Sequence, residues 1–140
     1  MKRKIGLWID HREAVIVRVF DEGEITNHLP SHLPKRVRFS GVSHDRAELN
    51  PHDDHAENKR DRRFEELLAH YYDEVIEELM TVDYLFIMGP GESKYELEKH
   101  IEDSALRPSL LTVETADKMT DNQIVAKVRQ HFTELQHPTA

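Results

Sequence analysis

The sequence predicts an α/β fold in which helices pack on the faces of a mixed β-sheet. Two observations lead to this prediction. Short β-branched runs separated by turn residues open the chain, and strand-like runs then alternate with amphipathic helical patterns. The length of 140 residues suits one hydrophobic core, so we expect a single domain spanning residues 1–140.

The opening runs predict an antiparallel meander of three strands. Residues 5–10 are mostly apolar, and residues 14–20 are rich in valine with partial alternation. The segment between them, residues 11–13, is short enough for a hairpin. Residues 21–23 have the composition of a second turn, and residues 24–29 form a plausible third strand.

A long polar loop is predicted from about residue 30 to residue 61. The segment has no sustained hydrophobic period and contains prolines, several histidines and many charges, although Val37 and Phe39 suit a short strand extension. Loops beyond about 12–15 residues are uncommon in a compact domain and are usually functional or disordered. We therefore expect a mobile loop.

The clearest helical pattern follows this loop. Apolar residues recur at helical spacing from Phe64 to Leu79, and acidic residues occupy many of the intervening positions. The pattern predicts an amphipathic helix with an acidic outer face, for which Asp61 is a suitable N-cap.

A strand, a sharp turn and a second helix are predicted next. Residues 83–88 have the composition of a buried strand, which ends in the turn at residues 89–91. The following helix ends near residue 103 and is expected to direct three apolar residues inward: Tyr95, Leu97 and Ile101.

The last predicted strand and helix complete the order β-β-β-loop-α-β-α-β-α. The strand covers residues 109–114, and Thr120 and Gln123 form a capping box that opens the last helix, which ends at His137 and Pro138. Its apolar face comprises Ile124, Val125, Val128, Phe132 and Leu135. With right-handed crossovers, this order favours an RNase H-like sheet.

The charge of the chain is unevenly distributed. The net charge of −8 by itself disfavours nucleic acid as a partner. Residues 1–63, however, carry 13 basic and 11 acidic side chains, whereas residues 64–140 carry 6 basic and 16 acidic ones. A polyanion responds to the local field, so basic clusters in the first part are either phosphate contacts or solvated surface. These clusters are Lys35, Arg36 and Arg38, and then Lys59, Arg60, Arg62 and Arg63.

The composition also disfavours several classes of site and location. The chain has no cysteine, which excludes a disulfide framework, a thiolate nucleophile and a cysteine-type zinc site. No apolar run approaches the ~18–20 residues needed to cross a bilayer. We therefore expect a cytoplasmic protein that does not associate with membranes.

Metal-dependent nuclease chemistry has incomplete support. RNase H-type nucleases hold two metal ions between carboxylates of the first strand, the first helix and the fourth strand. Asp10 and either Glu65 or Glu66 suit two of these positions, but the fourth predicted strand ends without a carboxylate. We favour a turn-forming role for Asp10.

The loop histidines His44, His52 and His55 have no regular spacing, so we expect neither a metal nor a cofactor.

The turn at residues 89–91 leads into a helix start, and Lys94 lies in the first turn of that helix. A helix N-terminus preceded by glycines can receive an anion. The spacing is not that of a P-loop, and a tight strand-to-helix connection is the alternative that we favour.

Residues 54–75 resemble the loop-to-helix passage in the middle domain of eukaryotic and archaeal-type peptide-chain release factors. In that family a polar loop enters a helix with Arg-Phe near its start and His-aromatic-x-x-Val later. Here Arg63-Phe64 matches the first motif, and His70, an adjacent tyrosine and Val75 match the second.

Two further segments extend this resemblance over nearly the whole chain. Residues 90–94 are similar to the Pro-Gly-x-x-Lys turn of pelota, a related ribosome-rescue factor. Residues 6–16 resemble the first hairpin of bacterial and archaeal single-domain relatives, the translational machinery component family. The resemblance implies an RNase H-like fold and a role on the ribosome.

One departure limits what the resemblance implies. Release factors carry Gly-Gly-Gln in the loop before the first helix, where the glutamine promotes peptidyl-tRNA hydrolysis. The glutamines of this chain are Gln123, Gln130 and Gln136, all in the predicted last helix. Pelota-like domains also lack the motif, so the resemblance implies ribosome or tRNA binding in rescue or regulation, without this hydrolytic role.

Three hypotheses of function remain open at this point. The first is a translation-associated RNA- or ribosome-binding domain. The second is an enzyme, either a peptidyl-tRNA hydrolase that uses His55 or Asn58 or an RNase H-like nuclease. The third is a protein-interaction module whose acidic helix faces, residues 65–78 and 92–103, bind a basic partner. The candidate RNA-binding residues of the first are Lys35, Arg36, Arg38, Lys59, Arg60, Arg62, Arg63 and Lys94.

Overall fold

A computed structural model describes residues 2–34 and 53–136, with side chains in the first helix from Asp61 onward. The strands in these ranges are β1 (Lys4–Ile9), β2 (Glu13–Phe20), β3 (Gly23–Pro30), β4 (Tyr84–Gly89) and β5 (Leu110–Thr115). The helices are α1 (Asp53–Glu78), α2 (Ser93–Asp103) and α3 (Asp121–Gln136). The predicted order of elements is confirmed.

The strands form one mixed sheet in the order β3-β2-β1-β4-β5. β2 is antiparallel to both of its neighbours, as the two hairpins require. β4 is parallel to both β1 and β5, so each crossover between parallel strands contains a helix. The predicted RNase H-like fold, a mixed sheet with helices on its faces, is confirmed.

The central strands bury side chains on both faces of the sheet, which explains why their sequences are almost continuously apolar. Alternate residues of β1 face opposite sides, so Leu7 and Ile9 join one core and Trp8 joins the other. Tyr71, Tyr72 and other residues of α1 pack in the first core with α2, and α3 covers the second.

The helix α1 begins at Asp53, so the prediction that Asp61 is its N-cap was wrong. The prediction relied on apolar periodicity, which is absent from residues 53–60. Aspartates at the first two positions suit the positive end of the helix dipole, and the lysine, arginine, glutamate and alanine that follow favour helix. Residues 35–52 of the predicted loop, including the expected strand at Val37 and Phe39, lie outside the described residues.

The inward face of α2 differs in one position from the prediction. Leu97 and Ile101 are buried as expected, but Tyr95 is 48% exposed. Ser93 and Lys94 are buried instead, each at 2% exposure, because the buried stripe runs through positions 93, 94, 97 and 101 at helical spacing.

The capping box before α3 is confirmed. The backbone N–H of Thr120 donates to Gln123 Oε1 at 2.9 Å, and the backbone N–H of Gln123 donates to Thr120 Oγ1 at 3.2 Å. Within α3 the predicted apolar face is buried at Ile124, Val128 and Phe132, whereas Leu135 near the end is 37% exposed. The residues expected to end this helix, His137 and Pro138, lie outside the described part.

One buried polar atom weakens the core beneath α3. The imidazole of His131 stacks on the ring of Phe86 with centroids 3.9 Å apart. Its Nε2 is buried and has no hydrogen-bond partner among the residues that the structure describes. Burial lowers the pKa of His131, because the charged form loses its hydration.

Replacing His131 with phenylalanine is expected to raise the free energy of unfolding by ~1 kcal/mol, because the stacking is kept and the unpaired nitrogen is removed. The gain should grow below about pH 6.5, where the unfolded chain binds a proton at His131 more readily than the folded one. Urea unfolding at acidic and at mildly basic pH measures both effects. An equal or smaller gain at acidic pH would contradict this account of His131.

Candidate nucleic-acid interface

The helices begin at or beyond one edge of the sheet. β1, β4 and β5 end at this edge, which we call the carboxyl edge. Tyr71 Oη donates to the carbonyl of Asp10 at 3.0 Å, and His28 Nε2 lies 2.7 Å from Asp121 Oδ2, so α1 and α3 both contact this end of the sheet. Ligands of α/β sheets commonly bind outside the carboxyl ends of parallel strands, so a binding site is expected at this edge.

The helix α1 is longer than the sheet is tall. Its 26 residues measure ~39 Å, whereas the 6 residues of β1 measure ~20 Å. At the far end of α1, Glu78 accepts a hydrogen bond from Arg18 at 2.7 Å, and Arg18 pairs with Ile5 near the start of β1. Because the C-terminal end of α1 lies level with the start of β1, the extra length of α1 lies at its N-terminal end. About 15–20 Å of the helix therefore extends beyond the carboxyl edge.

The second basic cluster lies on this extension of α1, which we call the projecting helix end (residues 53–63). Arg62 and Arg63 are exposed, and neither forms an ion pair with another described residue. Phe64 is 7% exposed and marks the point at which the helix meets the core. Lys59 and Arg60 lie in the same helix, but their side chains are outside the described part. The residues of the first cluster, Lys35, Arg36 and Arg38, also lie outside it.

Lys94 occupies a different environment from the one expected of a phosphate contact. Its side chain is only 2% exposed, and its Nζ donates to the carbonyl of Gly91 at 2.5 Å. The same Nζ lies 4.5 Å from the centroid of the Tyr95 ring, a cation–π distance. Lys94 therefore closes the turn before α2, which agrees with the connection that we favoured from sequence.

A partly buried hydrogen-bond network connects α1, α2 and the turn after β1. The hydroxyl of Tyr72 lies 2.8 Å from Ser93 Oγ and donates to Glu96 Oε1 at 2.6 Å. His11 Nε2 lies 2.9 Å from the same oxygen of Glu96. His11 and Glu96 are separated by 85 residues, so no local sequence signal identifies this pair.

The protonation states of this network follow from its geometry. Burial, and next the hydrogen bond to Glu96, raise the pKa of Tyr72, which stays a proton donor at neutral pH. Burial of Glu96 favours its protonated form, but hydrogen bonds with Tyr72 and His11 outweigh that effect and lower its pKa. Glu96 is therefore an ionised acceptor that holds three parts of the fold together.

Replacing Tyr72 with phenylalanine is expected to lower the free energy of unfolding by ~1–3 kcal/mol, because Glu96 and Ser93 lose a buried partner. Chemical denaturation measures the change. Tyr95→Phe is a matched control, because it removes a hydroxyl from a residue that is 48% exposed and keeps the aromatic ring. This variant should change the free energy of unfolding by less than ~0.5 kcal/mol. Equal effects of the two changes would show that the network does not stabilise the fold.

The turn-forming role that we favoured for Asp10 is confirmed. Its Oδ1 accepts hydrogen bonds from the backbone N–H groups of Arg12 at 2.8 Å and Glu13 at 2.9 Å. Glu65 and Glu66 are both exposed on α1. Among the side chains that the structure describes, no group of three histidines or carboxylates has the arrangement of a metal site.

No protein-family model matches the sequence, and no curated protein does. Solved structures share its fold. Pelota from Thermoplasma acidophilum superposes with a TM-score of 0.52 at 14% identity, covering 92% of this chain and 32% of that one. Pelota from Archaeoglobus fulgidus gives a TM-score of 0.50 at 10% identity, covering 95% of this chain and 32% of that one.

The archaeal translation termination factor aRF1 also matches, with a TM-score of 0.44 at 11% identity over 96% of this chain and 40% of that one. The chain thus spans about a third of the length of the Pelota structures that it matches. At these identities the Pelota structures establish the fold, and it is the fold that the resemblance to release-factor and pelota middle domains implied. No helix among the described residues is long and apolar enough to cross a membrane.

Proposed function

We propose that this chain is a translation-associated domain that binds ribosomal RNA or tRNA through its projecting helix end, in ribosome rescue or regulation in the cytoplasm. One observation carries the proposal. A domain with the fold of the Pelota structures extends two exposed arginines, Arg62 and Arg63, beyond the carboxyl edge of its sheet, and neither forms an ion pair within the described part of the chain. The projecting helix end carries four basic and four acidic residues, whereas residues 64–140 carry 6 basic and 16 acidic ones, so it repels phosphates less than the acidic body does.

The positions of the glutamines favour binding over hydrolysis of peptidyl-tRNA. Gln123, Gln130 and Gln136 all belong to α3, on the face of the sheet opposite to α1. Gln123 is engaged in the capping box, and Gln130 Nε2 donates to Glu134 at 3.2 Å. A glutamine therefore does not occupy the place before α1 that it has in release factors.

The acidic outer face of α1 supports a defined orientation on RNA. On the C-terminal side of the two arginines, this helix exposes four acidic residues: Glu65, Glu66, Asp73 and Glu77. Like charges repel the phosphate backbone, so the domain should approach RNA with its projecting helix end first. The same face makes binding of a basic protein the second candidate function.

Sedimentation of the C-terminally tagged chain with ribosomal fractions, with and without translation stress, tests the proposal. The wild type should sediment with ribosomes, and Arg62→Ala/Arg63→Ala should reduce the bound fraction. Lys99→Ala/Lys118→Ala removes the same amount of charge from exposed positions on α2 and before α3. This control variant should leave the ribosome-bound fraction unchanged. Absence of the wild type from ribosomal fractions at low salt would contradict the proposal, and capture by basic non-ribosomal proteins would favour the second function.

A further inference from the structure

A second basic surface lies at the opposite edge of the sheet, where β1 and β4 begin. An open groove of about 1350 Å³ occupies this edge. Its lining includes Lys2, Arg3, Lys4, Arg18, Phe20 and Tyr84. We call it the amino-edge groove; none of its residues belongs to the basic clusters singled out from the sequence.

Three of its cations are available to a ligand. Lys2 and Arg3 are exposed and Lys4 is half-buried, and their side chains form no ion pair with another described residue. The other two cations of the groove are neutralised. Arg18 pairs with Glu78 at 2.7 Å, and Arg129 forms two hydrogen bonds with Glu24. Asp21 and Glu22 also line the groove and offset part of this positive charge.

The backbone at Arg3, between Lys2 and Lys4, is hydrogen-bonded to the residues at the start of β4. The backbone N–H of Arg3 donates to Asp83 Oδ2 at 2.7 Å. The carbonyl of Arg3 accepts hydrogen bonds from the backbone N–H groups of Asp83 at 2.9 Å and Tyr84 at 3.0 Å. Because this backbone is tied to the start of β4, less conformational entropy is lost when the cations bind a ligand.

An exposed aromatic ring lies within the same groove. Phe20, the last residue of β2, is 52% exposed although it is a large apolar side chain. Grooves that bind single-stranded nucleic acid combine cations along the backbone with aromatic side chains on which bases stack. An acidic peptide would use the cations but would gain little from the ring.

We propose that the amino-edge groove binds single-stranded RNA, with Lys2, Arg3 and Lys4 contacting phosphates and Phe20 stacking on a base. The proposal rests on the RNA-binding function proposed above and adds a second contact. The two contacts lie at opposite edges of a sheet ~20 Å tall, so one domain would hold two separate RNA segments.

The test is fluorescence anisotropy of a labelled short oligouridine at low salt, with the full chain tagged at its C-terminus. Phe20→Leu keeps apolar bulk but removes the stacking ring, and it should weaken binding at least ~5-fold. Phe20→Trp should restore binding. Ile25→Ala is the matched control, because Ile25 is 53% exposed but does not line the groove, and it should bind as the wild type does.

Lys2→Ala/Lys4→Ala should lower the slope of log affinity against log salt by about 1.4, as expected for two single-strand phosphate contacts. The proposal is overturned if Phe20→Leu binds as tightly as the wild type, if the wild type does not bind, or if poly-glutamate binds in place of oligouridine. Repeating the Phe20 series in the Arg62→Ala/Arg63→Ala background separates the two contacts. If Phe20→Leu still weakens oligouridine binding in that background, RNA binding by the amino-edge groove is supported even if the chain does not associate with ribosomes. If Phe20→Leu has no effect while ribosome association holds, only the proposal for the groove is overturned.

Discussion

Replacing Gly89 with alanine is expected to lower the free energy of unfolding by ~3 kcal/mol or more. Gly89 is the last residue of β4, beside the end of β1. A Cβ at this position would lie 2.2 Å from the carbonyl oxygen of Ile9 and 3.3 Å from its carbonyl carbon. Backbone atoms cannot rotate away as a side chain can, so the two central strands must separate and disturb both cores.

The chain supplies its own control for this change. Gly91 lies two residues further on, and a Cβ there would meet no atom within 4 Å. Gly91→Ala should therefore change stability by less than ~0.5 kcal/mol. Urea unfolding followed by the fluorescence of Trp8, which is the single tryptophan and is 3% exposed, measures both variants. A small effect of Gly89→Ala would mean that β1 and β4 are not as closely apposed as described.

Removing Arg62 and Arg63 is expected to change the salt dependence of tRNA or ribosomal RNA binding. If each arginine neutralises one phosphate, the slope of log affinity against log salt should lose about 1.4–1.8 of its magnitude in Arg62→Ala/Arg63→Ala. The affinity itself should fall most at low salt, where counterion release contributes most. Titrations with purified RNA over a salt series measure the slope directly.

The double variant Lys99→Ala/Lys118→Ala provides the comparison for this slope. It makes the same change in net charge, so it alters the overall field of the protein without touching the projecting helix end. Its slope should equal that of the wild type. Parallel lines for all three proteins would show that Arg62 and Arg63 make no phosphate contacts.

The elements with a buried face were predictable from sequence, because burial on one side imposes a period on the chain. The apolar positions from Phe64 to Leu79 and the capping box at Thr120 both follow from local residue spacing, and both are confirmed. The start of α1 at Asp53 was not predictable in this way. Residues that project beyond a core need no apolar period, so the pattern gave no sign of the helix there.

The site was less predictable because its contacts are long-range. Arg62 and Arg63 are exposed as expected, whereas Lys94 is buried although it follows the same kind of turn motif that phosphate sites use. Its burial depends on the carbonyl of Gly91 and the ring of Tyr95, whose positions follow from the packing of α2. The pairing of His11 with Glu96 likewise depends on the sheet order.

The amino-edge groove illustrates the same limit. Lys2, Arg3 and Lys4 are visible in the sequence, but they are distant from Phe20 along the chain and look like an ordinary charged terminus. The antiparallel pairing of β1 with β2 brings Lys4 opposite Val19, next to Phe20. Only this register joins the cations and the aromatic ring in one groove.

Site-specific photo-crosslinking to ribosomes tests the central claim most directly. A photoreactive residue is placed at Glu65, beside the projecting helix end, or at Glu102, which is equally acidic and exposed but lies near the end of α2. The account predicts that ribosomal RNA is labelled from position 65 much more strongly than from position 102. Equal labelling from the two positions, or no labelled RNA from position 65, would contradict it.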